Sequence, residues 1–121
     1  GAYYKFAMYY HKEHWNGAEP AQFLKAIRAE GIAVSGYIGR GLYDDPWVDF
    51  ISNQKVYQKM YTPERLKQYR EEMKYPNCDA VCKNVIIMNG PGPLLGPRSD
   101  MDDLINGIMK VYENRDLLKT I

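Results

Sequence analysis

The stretch Pro20-Ala21-Gln22-Phe23-Leu24-Lys25-Ala26-Ile27-Arg28-Ala29-Glu30-Gly31-Ile32-Ala33-Val34-Ser35-Gly36-Tyr37-Ile38 decides the fold class. Pro20 occupies a first helical position, where the N–H it lacks would have no partner anyway. Phe23, Leu24, Ala26 and Ile27 recur at the i, i+3, i+4 spacing of one helical face. Gly31 follows as the residue that takes the left-handed backbone ending a helix. Residues 32–38 are β-branched and aromatic, so the segment reads as helix 20–30, a glycine stop and a strand.

Upstream, Tyr4, Phe6, Met8 and Tyr10 alternate with Tyr3, Lys5, Ala7 and Tyr9, the period of two of a strand with one face in a core. Residues 3–10 are therefore predicted to be a strand, and 11–17 a polar connector. The helix between the two strands is long enough for a crossover, which allows them to run parallel.

Downstream, residues 36–46 carry four breakers and form a long, shaped loop, of the kind that carries function. Asp45-Pro46 signals a short helix presenting Trp47, Phe50 and Ile51, and Thr62-Pro63-Glu64 repeats the signal for a helix over 63–73. Pro76-Asn77 is expected to stop it. Residues 79–83 read as one helical turn, Val85–Met88 as a short buried strand, and 89–93 (Asn-Gly-Pro-Gly-Pro) as irregular chain. Ser99-Asp100 should cap a last helix, with Asp102 and Asp103 against its positive end and a buried stripe of Met101, Leu104, Ile105, Ile108, Met109 and Tyr112. The order β-α-β-loop-α-α-β-α specifies an α+β two-layer sandwich, a sheet of three or four short strands with helices on one face.

Composition bounds the function. One hundred and twenty-one residues, 45% hydrophobic and 26% charged, make one globular domain able to fold without disulfides or metals. Sixteen basic and fifteen acidic residues nearly cancel, so there is no field to hold a nucleic acid. No apolar run approaches the roughly 20 residues of a membrane span, and the start is no signal peptide, which points to the cytoplasm. Gly1 resembles the scar left when a tag is cleaved off. Eleven tyrosines suit a surface that packs on another domain or lines a polar pocket, and equally a tyrosine-rich sheet.

The residues that carry chemistry are few. His11 and His14, with Glu13, lack the third and fourth donors of a zinc site and read as solvated linker. Cys78 and Cys82 fit neither a structural zinc site nor a Cys-x-x-Cys redox motif, and read as buried small hydrophobes. Ser35 and Ser99 have no triad partners in a recognisable motif, and Gly36-x-x-Gly39-x-Gly41 lacks dinucleotide spacing. Arg40 and Arg98 stand in glycine- and proline-rich loops, where either can offer a bidentate grip to a carboxylate or phosphate. No catalytic, cofactor-binding or metal-ligating residue is assigned.

One resemblance runs along nearly the whole chain. Residues 23–33 (Phe-Leu-Lys-Ala-Ile-Arg-Ala-Glu-Gly-Ile-Ala), Gly36-Tyr37, Leu42-Tyr43 with Pro46, Cys78 with Cys82, Leu94-Leu95-Gly96, Asp100-Met101-Asp102-Asp103-Leu104-Ile105 and Ile108-x-Lys110-Val111 resemble, in order, the C-terminal part of DegT/DnrJ/EryC1/StrS aminotransferases. The branch resembled includes the inosose and aminohydroxybenzoate-type enzymes. The resemblance implies the small domain of a fold-type I enzyme using pyridoxal phosphate. The Schiff-base lysine, the acid on the pyridine nitrogen and most phosphate ligands would lie in a preceding N-terminal domain, which becomes this chain's implied partner. Its role would be to cover the active site and help bind a sugar or cyclitol, with no cofactor and no turnover of its own. The sequence departs from the family at residues 38–41, where relatives have a short proline-containing loop, and at 90–93, which are richer in breakers. Both departures fall on the substrate side. Tyr37, Arg40, Tyr43, Asn89 and Arg98 are the substrate-proximal candidates, with segments 36–46 and 89–98 expected to converge. The separated domain is expected to self-associate weakly through the outer face of its tyrosine-rich first strand or the neighbouring loop. The alternative is a free-standing α+β interaction or small-ligand-binding module whose edge is the Tyr37–Tyr43 loop.

Overall fold

A computed structural model describes residues 5–88 and 92–121. The helix signal at Pro20 is realised in full: α1 spans Pro20–Ala29, and the Gln22 side chain accepts from the Glu19 N–H at 2.9 Å. Its end is equally well specified. Gly31 takes φ +83°, and the Ile32 N–H reaches back to the Ile27 carbonyl at 3.2 Å, closing the helix as a left-handed glycine permits.

Strand β1 (Phe6–Tyr9) precedes α1, and β2 (Val34–Gly36) follows it. Chain order continues with α2 (Pro46–Ser52), α3 (Lys55–Met60), α4 (Pro63–Glu72), α5 (Pro76–Asn84), β3 (Val85–Met88), the one-turn α6 (Gly92–Leu95) and α7 (Arg98–Glu113). Short 3-10 turns cover Lys12–Trp15, Leu42–Asp44 and Arg115–Thr120. The architecture is α+β with a small three-stranded antiparallel sheet in the order β1-β3-β2. Met8 pairs with Ile86 on one side of β3, and Gly36 pairs with Ile86 on the other. Strands β1 and β2 run in the same direction, as a crossover through α1 requires, but β3 lies between them and every ladder is antiparallel.

The core lies between sheet and helices. Ile27, Phe23, Val34, Ile86, Leu104, Val111 and Leu118 form one buried cluster with Tyr10, Ala18 and Ile32. Tyr10, Trp15, Phe23 and Tyr112 join it as an aromatic chain: ring centroids are 5.1 Å apart for Tyr10–Phe23, 4.5 Å for Trp15–Phe23 and 5.4 Å for the edge-on Trp15–Tyr112 pair. The Tyr10 hydroxyl donates to the Ala18 carbonyl at 2.9 Å, so its polar end is satisfied inside the core. Of the predicted first strand, Tyr3 and Tyr4 lie outside the described residues. Met8 and Tyr10 face inward as the alternation required, whereas Phe6, at the strand's beginning, is half-exposed.

Several local expectations are corrected. Pro76 does not merely stop α4, which ends at Glu72; it opens α5, since proline suits a first helical position. The same tolerance lets Pro93 sit inside α6, where an irregular segment was expected; residues 89–91 lie outside the described residues. Helix α7 starts at Arg98 with Pro97 as its N-cap, so Ser99 and Asp100 are inside the helix and do not cap it. Its buried line is Leu104 and Val111 with Met101 and Ile108 partly covered, while Ile105, Met109 and Tyr112 lie on the more exposed flank. The stripe is narrower than the run of apolar residues suggested. Strand 32–38 shortens to Val34–Gly36.

The chain divides into two compact units. One runs to Tyr37 and resumes at Asn84; it holds the sheet, α1, α7 and the core. The other, Ile38–Lys83, is wholly helical and irregular, and Gly41 is its only buried residue. Among the described residues no helix is long and apolar enough to cross a membrane.

Two outcomes follow from this core. Ile27 is 1% exposed, so Ile27→Ala should cost about 2–5 kcal/mol in urea unfolding; a loss under about 1 kcal/mol would contradict its place in the core. The Tyr10 phenol is pushed up to about 12, chiefly by burial and then by the Glu19 carboxylate. The folded chain thus holds this proton after the unfolded chain has lost it. The stabilisation is complete below the ordinary tyrosine value of about 10 and declines as pH rises towards and through about 12. Tyr10→Phe should flatten that alkaline decline, measured as the unfolding midpoint against pH.

Candidate functional site

Proline and its preceding cap build the helical unit. The Asp45 carboxylate accepts from the Trp47 N–H at 3.0 Å, with Pro46 as the first residue of α2. The Thr62 hydroxyl accepts from the Arg65 N–H at 3.2 Å, with Pro63 first in α4. These caps start α2 and α4, and with α3 between them the helices surround an open cleft of about 300 Å³. Helix α2 contributes Ile51 and Ser52, α3 and its end contribute Tyr57 and Tyr61, and α4 contributes Arg65, Leu66 and Tyr69. A second cleft of about 460 Å³ shares Ser52, Tyr61 and Leu66 and is bordered by Asp49, Gln58, Lys67 and Arg70.

The charges around these clefts are paired within the unit. Arg70 meets Asp49 at 2.8 Å and donates to the Tyr43 carbonyl. Arg65 pairs with Glu72 at 3.3 Å and lies 5.9 Å from the Tyr69 ring centroid. Lys67 stands 3.8 Å from Glu71. Exposed pairs of this kind contribute roughly 0–1 kcal/mol each, and they leave the first cleft with an aromatic lining and a neutralised rim. Such a lining stacks on flat or ring-shaped ligands and offers phenol hydroxyls to polar groups.

The sequence-derived candidates are placed as follows. Tyr37 closes the sheet unit's first segment, half-exposed, with the Lys5 ammonium 5.0 Å from its ring centroid. Arg98 is the exposed first residue of α7. Arg40 and Tyr43 belong to the helical unit. Arg40 is held by Asp45 at 3.3 Å, while Tyr43 donates its hydroxyl to Asp79 and packs on Tyr75 at 4.9 Å. Asn89 lies outside the described residues. Sequence reading missed the cleft residues Tyr57, Tyr61, Arg65, Tyr69 and Arg70. The available signal was the spacing Tyr57/Tyr61 and Arg65/Tyr69, each i, i+4 on either side of the Thr62-Pro63 helix start.

Among the described residues no three His, Cys, Asp or Glu side chains converge as metal ligands. His11 and His14 stack with ring centroids 5.5 Å apart on the surface, and His11 lies 3.8 Å from Glu13. That carboxylate is held below its ordinary value, chiefly by its own backbone hydrogen bond, with the two imidazoles as smaller causes. Cys78 and Cys82 are free thiols, half-buried where full burial was expected. Pyridoxal phosphate requires an enclosed lysine, an acid for its ring nitrogen and donors for its phosphate. All ten lysines are exposed, and the one bordering a cleft described above, Lys67, lies beside Glu71. Among the described residues no lysine is enclosed in the way that cofactor requires. No family model, curated protein or solved structure matches the chain.

Arg70 ties α4 to both α2 and the 42–44 turn, so Arg70→Met should loosen the unit without touching the sheet. Amide exchange over residues 42–52 should accelerate roughly five- to tenfold, about 1 kcal/mol of local opening, while β1 and β3 stay protected.

Proposed function

We propose that this chain is the C-terminal small domain of a cytoplasmic sugar or cyclitol aminotransferase of the DegT/DnrJ/EryC1/StrS kind. In this reading it covers the active site of a preceding cofactor-binding domain, helps bind the substrate and has no turnover alone. The observation that carries the reading is the crossover β1-α1-β2 with β3 set antiparallel between the two strands and α7 following it. An α+β chain with a small three-stranded antiparallel sheet is compatible with the two-layer small domain that the resemblance implies. Pyridoxal phosphate, held by the other domain, would supply the electron sink. This chain's residues would bind and orient the substrate and exclude water.

A second observation supports a missing neighbour. Trp47, Phe50 and Met60 are 63%, 62% and 65% exposed. Covering them would recover roughly 25 cal/mol per Å² of apolar surface. In this role Arg40 exchanges Asp45 for an anionic substrate group. The separated domain self-associates weakly for the same reason that it docks. The second reading is a free-standing α+β module that binds a small ligand. It is favoured by the tyrosine-lined cleft among α2, α3 and α4.

Two measurements decide between them. The gene's reading frame should continue upstream of Ala2 into a domain with a lysine that borohydride fixes to pyridoxal phosphate. The same treatment of this chain alone should label none of its lysines by mass spectrometry. A frame that begins at Ala2, or a pyridoxyl-lysine in this chain, overturns the aminotransferase reading.

A further inference from the structure

Cys78 and Cys82 stand four residues apart on α5 and therefore share one face of it. Neither is a surface thiol: both are half-buried. The turn at Gly41 closes over the first of them, since a Cβ on Gly41 would stand 3.0 Å from the Cys78 sulfur. Tyr43 extends that cover, with its hydroxyl on Asp79 and its ring on Tyr75. The Cys82 thiol is held above its ordinary value first by burial, then by the hydrogen bond and charge of Cys78 and by the charge of Asp79. The two thiols thus share one face of α5, with the Gly41 turn close over Cys78 and Tyr43 on the neighbouring Tyr75 and Asp79.

Helical geometry limits what such a pair can do. Side chains at i, i+4 have Cβ atoms about 5–6 Å apart, whereas a disulfide needs roughly 3.5–4.5 Å. Oxidation to a disulfide would require α5 to unwind. One soft metal ion between the sulfurs, with bonds of roughly 2.1–2.3 Å, spans about 4.5 Å and suits an intact helix. Zinc is not accommodated, because it needs four ligands and no third donor converges here among the described residues. Asp79, the adjacent carboxylate, already accepts from Tyr43. Thiolate ligands with nothing else select monovalent copper.

We propose that Cys78 and Cys82 form a two-sulfur clamp for Cu(I). Binding forms two S–Cu bonds and breaks two S–H bonds, releasing two protons to solvent; copper stays monovalent and no electron is transferred. Affinity therefore rises with pH until both thiols are ionised.

The test is anaerobic titration of the whole chain against a coloured Cu(I)–chelator complex, with both thiols counted afterwards by a chromogenic disulfide reagent. The expected result is that the chain withdraws one Cu(I) and that this single equivalent protects both thiols together. Cys78→Ser and Cys82→Ser should each weaken binding by more than about 100-fold, beyond the 10–100-fold cost of losing an outer-shell partner. Failure to withdraw Cu(I), protection of one thiol per equivalent, or native-like affinity in either single variant overturns the proposal. The thiol count on the unaltered chain keeps the test decisive even if a variant misfolds.

Discussion

The pairing of β3 between β1 and β2 is the constraint on which the rest depends. The chain leaves the sheet at Gly36 and re-enters at Val85, and Gly36 and Ile86 are partners across one rung. Everything in between must begin and end at neighbouring points of one sheet. Loop-closure cost grows only slowly with length, so a long excursion is tolerated provided the sheet itself is well fixed. The fixing comes from Ile86, which lies 2% exposed among Ile27, Phe23 and Leu104, and from the aromatic chain that carries β1 into the same core through Tyr10.

The two units are consequently held by different physics. In the sheet unit, apolar burial dominates, and the polar groups that enter the core, such as the Tyr10 hydroxyl, do so with a partner. In Ile38–Lys83 the helices rest on caps at Asp45 and Thr62 and on exposed ion pairs such as Arg70–Asp49, with large apolar side chains left outside. Caps contribute about 1 kcal/mol each and surface pairs less. A unit assembled from such terms opens locally far more easily than a packed core.

What the sequence made legible follows the same division. Pro20, the Phe23–Ile27 stripe and Gly31 are local signals, and they specified α1 and its end; so were Asp45-Pro46 and Thr62-Pro63, which specified the starts of α2 and α4. The order of the strands was not legible, because insertion of β3 between β1 and β2 is a contact between residues 85–88 and both 6–9 and 34–36, and periodicity carries no information about separation of that kind. Helix α3 escaped notice because six residues are too few for an apolar stripe to declare itself. In α7 the stripe was read too wide, since Ile105 and Met109 are apolar yet face away from the sheet.

The site was less legible than the fold for a related reason. Glycine-rich loops single out Arg40 and Tyr43, but these side chains are already engaged by Asp45 and Asp79. The cleft instead takes its residues from α2, α3 and α4, where each tyrosine taken alone reads as a half-wet surface residue. A glycine carried more information than any of them. Gly41 lies where a methyl group would collide with the Tyr43 ring and stand 3.0 Å from the Cys78 sulfur, so this turn comes close to α5. In the sequence Gly41 appears only as a breaker, and its function as a point of close approach emerges when Cys78, thirty-seven positions later, comes to rest against it. Small residues in loops are thus ambiguous between flexibility and contact until the partner is known, and here contact is what the geometry selects.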